Sequence, residues 1–293
     1  MSKLIIGCGY LGQRVARRWR DAGHDVFVVT RSEARSRELA DEGYCSIVAD
    51  VLRPETLADL PVADSVLFAV GYDRRSNASI HETYAGGLAH VLDALPAETG
   101  RLIYISSTGV YGQTEGEIVD ERSATEPSRE GGRASLAAEQ TLWAHPLGQR
   151  GVVLRLAGIY GPGRIPLVAK ICAGEPIPAP ERGWLNLIHV DDACSVVLAA
   201  AERAEPPQTY LVSDGHAIER RAYYQELARL VGVPPPVFAT PAPDSSSAAR
   251  ATSNKRVSNE RMQAELNVAL AYPTYREGLS AILAAENEDS AEA

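Results

Sequence analysis

Short runs of aliphatic and β-branched residues alternate along the chain with longer segments whose apolar positions recur at helical spacing. This pattern predicts a parallel sheet with helices on both faces. The strands expected are Lys3 to Ile6, Asp25 to Thr30, Cys45 to Ala49, Ser65 to Ala69, Arg101 to Ser106 and Val152 to Leu156. Between the first two, Leu11, Val15, Ala16 and Trp19 share one helical face while Arg14, Arg17 and Arg18 stay wet, which makes a βαβ unit. Further helices are predicted from Glu82 to Leu95, from Arg133 to Trp143 with Pro146 as the stop, and from Arg220 to Val231 ahead of Gly232 and Pro234. Another opens at Asp191 and Asp192, whose carboxylates suit a helix N-terminus.

After the sixth strand the texture changes. The segments 160–164 and 174–180 are rich in Gly and Pro, as expected of an excursion out of the sheet. The reading is therefore an α/β fold, a doubly wound parallel sheet with a second, smaller unit. Residues 1–160 form the core and 186–212 return to it, while 161–185 and 213–286 build the smaller domain. Pro241 to Arg250 reads as a polar, lid-like loop and 287–293 as a disordered acidic tail.

Composition narrows the function. A chain of 293 residues that is 45% hydrophobic and 23% charged is long enough to bury a large core. Its net charge of -9 repels a nucleic-acid backbone, so small molecules are the expected partners. No apolar run approaches the ~20 residues of a membrane span, and the N-terminus does not read as a signal peptide. Cys8, Cys45, Cys172 and Cys194 are scattered without a C-x-x-C pair, which predicts buried thiols in a reducing cytoplasm. His81, Glu82, Asp120, Glu121 and Glu139 offer no metal-ligand spacing, so no metal is expected.

Gly7-Cys8-Gly9-Tyr10-Leu11-Gly12 matches G-x-G-x-x-G between a strand and an amphipathic helix, the context in which this motif holds a dinucleotide. Gly7 allows the tight turn, Gly9 leaves room for the pyrophosphate at the helix N-terminus, and Gly12 lets helix and strand pack closely. The second strand ends in Thr30-Arg31-Ser32, with no acid to hold a ribose 2′-hydroxyl. Arg31 is either the bidentate grip for a 2′-phosphate or a solvated loop residue; the first reading favours NADP(H), with NAD(H) possible. Asp50 after the third strand is either an acceptor for the adenine amino group or a turn residue. Val51, Ala69, Gly71, Ser32 and Ser106 complete the cofactor-binding set expected at the strand ends.

Tyr104 to Gly112, Leu156 to Gly163, Ile188 to Ala193 and Val212 to Gly215 carry a resemblance that covers nearly the whole chain. Through them the sequence resembles the extended short-chain dehydrogenases/reductases, that is, the NAD-dependent epimerase/dehydratase family. The resemblance implies a Rossmann-type doubly wound parallel sheet with a smaller C-terminal substrate-binding domain, a substrate of the nucleotide-sugar kind between the two, and a homodimer through the helices around Ala85 to Leu95 and Ala134 to Trp143. It also implies a Ser or Thr after the fifth strand, a Tyr-x-x-x-Lys pair and an Asn. Alignment on Leu136-Ala137-Ala138-Glu139 puts the Tyr and Lys on Gly131 and Ser135 and the Asn on Tyr84, so only Ser107 is retained. Ser107, Thr108, Tyr111 and Tyr84 are the candidates for a substitute catalytic set, with Tyr84 acidified beside a nicotinamide or simply packed in the interior. His189 with Asp191 and Asp192 is expected to fix a turn and cap a helix. A non-catalytic NADP(H) sensor is the alternative function.

Overall fold

Seven short runs of alternating side chains assemble into one fully parallel sheet in the computed structural model, which describes residues 1–242, 245, 248 and 253–292. The strands are β1 (Ser2–Ile6), β2 (Asp25–Thr30), β3 (Cys45–Val48), β4 (Ser65–Phe68), β5 (Arg101–Ser107), β6 (Gly151–Leu156) and β7 (Gln208–Val212). Their order across the sheet is β3-β2-β1-β4-β5-β6-β7. The order reverses between β1 and β4, and ligands of open α/β sheets bind in the crevice at such a point.

Both faces are covered, which is why the strands are apolar almost throughout. Ile5, Leu67 and Ile103 point to one side, against Val15 and Trp19 of α1 (Gly12–Asp21) and Val196 of α5 (Val190–Arg203). Leu4, Phe68 and Leu102 point to the other, against Leu88 of α3 (Gly87–Ala94) and Leu142 of α4 (Glu130–Ala144). The helix α2 (Glu33–Asp41) connects β2 to β3. The segment expected as one helix from Glu82 to Leu95 opens with a wider π-helical turn over Glu82–Gly86 before α3 begins.

A second apolar cluster gathers Tyr160, Ile177, Leu187, Tyr223 and Leu227 of α6 (Arg220–Leu230), and Tyr275 and Leu279 of α8 (Tyr275–Glu292). Not all of 213–286 belongs to it. The strand Lys255–Val257 pairs in parallel with Glu117–Val119, and Met262 and Leu266 of α7 (Glu260–Leu266) pack on the sheet core beside Val196. The helix α8 continues to Glu292, where a disordered tail was expected from 287. The expected lid at 241–250 lies largely outside the described residues. Cys45 and Cys172 are exposed, not buried as expected, and burial pushes the Cys8 thiol up to about 11 and Cys194 up to about 12.

Candidate active site

The three glycines of the β1–α1 turn are required for three different reasons. Gly7 sits at φ +97, and a Cβ there would lie 2.6 Å from the Ala69 carbonyl at the end of β4. A Cβ on Gly12 would lie 2.3 Å from the Gly7 carbonyl oxygen, so the helix start packs directly on the turn. Gly9 is the reverse case: nothing lies within 4 Å of a Cβ there, and the residue is exposed. The turn is thus held closed by Gly7 and Gly12 and opens outward at Gly9. Leu11 precedes α1 without a side-chain cap, and no acid occupies the first turn, which leaves that helix N-terminus suited to an anion.

A cleft of about 260 Å³ lies along this turn. Of the residues expected to hold the cofactor, Gly7, Gly9, Arg31, Asp50, Val51, Ala69 and Gly71 line it together. Cys8, Thr30, Leu52, Val70, Asp73, Ser76 and Thr83 line it as well; their only sequence signal is proximity to the ends of β1 to β4 or to the helix that follows. A more open hollow, lined by Glu121, Trp143, Gln149, Gln208 and Arg261, lies at the opposite end of the sheet, where β7 begins.

Five expected cofactor residues do not line the cleft. Leu11 is buried in the core, and Gly12 packs on the turn. The Tyr10 hydroxyl donates to the Pro162 carbonyl at 3.0 Å, and its ring is flanked by Arg14 and Arg164, so it fastens the turn to the loop after Tyr160. Ser32 caps α2 by accepting from Arg35 N–H. Ser106 is buried, and its hydroxyl donates to Glu139 Oε1 at 2.5 Å. Asp50 keeps its place in the cleft wall but is also a turn residue, its Oδ1 accepting from Leu52 N–H at 3.0 Å. Arg31 stands exposed at the rim with its Nη2 3.7 Å from Asp73 Oδ2.

The loop after β5 carries Ser107 and Thr108. The Ser107 hydroxyl accepts from Gly109 N–H at 3.0 Å, which leaves its own proton for an acceptor. Thr108 opens the short helical turn over Thr108–Val110. Tyr111 is not placed for catalysis. It is 2% exposed, Arg155 Nη1 donates to its oxygen at 2.6 Å, and its hydroxyl donates to the Asp120 carbonyl at 2.9 Å. Burial pushes this phenol up to about 12. Behind it Arg155 grips Glu139 through Nε at 3.0 Å and Nη2 at 2.6 Å, a buried bidentate pair between α4 and β6.

Tyr84 packs partly buried against the cluster of Leu88 and Leu142. Burial pushes its pKa up. Gly131 and Ser135 bring no phenol or amine: the Ser135 hydroxyl donates to the Gly131 carbonyl at 2.9 Å. His189 is buried, its ring lies tilted against that of Tyr272 with centroids 3.9 Å apart, and it accepts from Asp191 N–H through Nδ1, so the imidazole itself is the cap. Asp191 instead pairs with Arg14 of α1 at 3.0 Å, and Asp192 accepts from Ala271 and Tyr272 N–H.

A doubly wound sheet whose switch-point crevice carries this glycine turn defines a dinucleotide-binding protein of the Rossmann class. The chain belongs to the NAD dependent epimerase/dehydratase family, which it matches over residues 4–213. It is 30% identical over 242 residues to Protein YeeZ of Escherichia coli (strain K12), covering 80% of this chain and 85% of that one. A solved structure from Methylobacillus flagellatus, assigned as an NAD-dependent epimerase/dehydratase, superposes with a TM-score of 0.78 at 32% identity and covers 98% of both chains. The fold is also shared with a UDP-glucose 4-epimerase of Thermotoga maritima solved with UDP-glucose, at a TM-score of 0.82, 19% identity and 99% coverage of both chains. Among the described residues no helix is long and apolar enough to cross a membrane.

Proposed function

We propose that this protein is an NADP(H)-dependent oxidoreductase or epimerase of a polar metabolite, of the nucleotide-sugar type, working without a Tyr-Lys pair. The observation that carries the reading is the cleft at the β1–β4 switch point, closed by Gly7 and Gly12 and opening outward at Gly9. The residues present fit the cofactor: Gly9 and the α1 N-terminus would hold the pyrophosphate, and Arg31 the 2′-phosphate. When bound, the cofactor supplies hydride transfer. Ser107, the one position retained from the family's set, would donate a hydrogen bond to the reacting oxygen. Nucleotide sugars enter this reading because the Thermotoga epimerase was solved with UDP-glucose.

Arg31 supports the preference for NADP(H), because its guanidinium stands at the rim of the adenosine end and no acid replaces it on β2. Asp73 beside it has to yield to a phosphate. Fluorescence titration with NADPH and NADH tests this. NADPH is expected to bind about 10-fold more tightly or better, the worth of a charge-assisted hydrogen bond, and Arg31→Ala to remove most of that difference. Equal affinities would replace NADP(H) by NAD(H); absence of binding by either would sink the reading. Tyr111 locked to Arg155 favours the non-catalytic sensor as the second reading. Tight NADPH binding without turnover of any nucleotide sugar or carbonyl substrate selects it.

A further inference from the structure

We infer that Arg129, Arg220 and Lys255 together form a seat beside Ser107 for a carboxylate or phosphate group of the substrate. This deepens the function proposed above by naming a charge that the substrate carries close to its reacting carbon. The three cations come from distant parts of the chain. Arg129 immediately precedes α4, Arg220 opens α6, and Lys255 opens the strand that pairs with Glu117–Val119.

Their convergence is fixed by shared neighbours. Lys255 Nζ donates to the Tyr111 carbonyl at 3.0 Å and to Ser253 Oγ at 2.7 Å, while Arg220 Nη2 donates to the Ser253 carbonyl at 2.9 Å. Arg129 reaches the same loop from the other side. A Cβ on Gly109 would lie 3.2 Å from Arg129 Nη2 and 3.2 Å from Ser107 Oγ, so this guanidinium and the Ser107 hydroxyl flank one glycine. The carbonyl of Tyr111 then carries the ammonium only two residues further along.

Lys255 and Arg220 are 4% and 6% exposed, and burying a charge is expensive unless something of opposite sign meets it. Both oxygens that Lys255 touches are neutral, and among the described residues it makes no ion pair. Burial, and then the charge of Arg129, lowers its pKa to about 8; burial and Arg129 also lower that of Arg220. Arg129 and Arg220 make further contacts of their own, so the unmet charge is that of Lys255. The buried ammonium of Lys255, held by the loop that follows Ser107, is compensated by an anionic ligand, which the neighbouring guanidinium groups can help to orient. Nothing in the glycine turn needs these groups: none of the three lines the cofactor cleft.

The test is a thermal-shift titration of the NADPH-saturated protein with sodium phosphate and, separately, sodium oxalate, with ionic strength held constant by chloride. A saturable rise in Tm is expected with one or both anions, and which of them acts distinguishes a phosphate from a carboxylate substrate. Arg129→Gln, at a half-buried position, is expected to weaken the anion by about fivefold or more while NADPH affinity changes less than about twofold. Lys255→Gln is expected to do the same wherever it folds. No rise beyond chloride with either anion, or an undiminished rise in Arg129→Gln, overturns the seat. A protein that binds no nicotinamide cofactor yet gives the Arg129-dependent rise keeps the seat and loses the function proposed above.

Discussion

Gly9 and Gly12 stand three positions apart in one motif, yet substitution at each should act on a different state of the protein. A side chain on Gly9 meets nothing in the protein itself and, under the function proposed above, projects where the pyrophosphate would approach. Gly9→Val is therefore expected to keep the wild-type Tm and lose NADPH binding. On Gly12 a Cβ collides with the Gly7 carbonyl, so Gly12→Ala should lower stability by about 1–3 kcal/mol whether or not cofactor is present. Paired melting curves and NADPH titrations separate the two; a destabilised Gly9→Val protein that still binds would contradict the assignment. Asp214 is a second residue whose cost the structure exposes. It is 4% exposed, Oδ1 accepts from His216 N–H at 2.9 Å, and burial raises its pKa from 3.8 to about 7. Because the folded value lies above the unfolded one, its contribution is favourable at low pH and is lost as pH rises from 3.8 to 7. Asp214→Asn is expected to stabilise the protein by about 2–4 kcal/mol at pH 8 and by less than half as much at pH 5. Urea unfolding at both pH values checks this, and a pH-independent difference would count against it.

Between elements, the strongest polar tie is the pair of Glu139 on α4 with Arg155 on β6, closed by Ser106 and Tyr111. Glu139→Ala leaves a buried guanidinium without its carboxylate and is expected to cost about 3–5 kcal/mol in urea unfolding. A loss near zero would show that Arg155 finds another partner. The same tie explains why the candidate site was only half legible in the sequence. The glycine turn announces itself because its spacing and its position between strand and helix are local. Tyr111 reads locally as a loop tyrosine at a strand end, where ligands gather, and only the packing of α4 on β6 reveals that its hydroxyl is committed. Ser106 differs from Ser107 in the same way: strand alternation turns one inward to Glu139 and leaves the other half-buried at the strand end. Elements themselves were more readable, because β-branched runs and a helical stripe such as Leu11, Val15 and Trp19 are written within a few residues of one another.

Across the whole molecule, the doubly wound arrangement followed from the alternation of strands and helices, while the route of the C-terminal third did not. Lys255 looks like any surface lysine until Lys255–Val257 is laid beside Glu117–Val119, a pairing that spans much of the chain. Met262 and Leu266 likewise return to the sheet core by a path that no spacing indicates. The order of the central sheet also has a consequence for how the chain is made. Each neighbouring pair of strands is parallel, so none can zip up through a tight hairpin, and every contact waits for a crossover to be completed. The wall of the cradle that faces Gly7 is the end of β4, so a nascent chain that has not yet exposed residues 65–71 has no place to lodge a cofactor. β7 is added at the edge opposite β3, so on a ribosome the glycine turn and its β4 wall can close while the C-terminal third is still being synthesised.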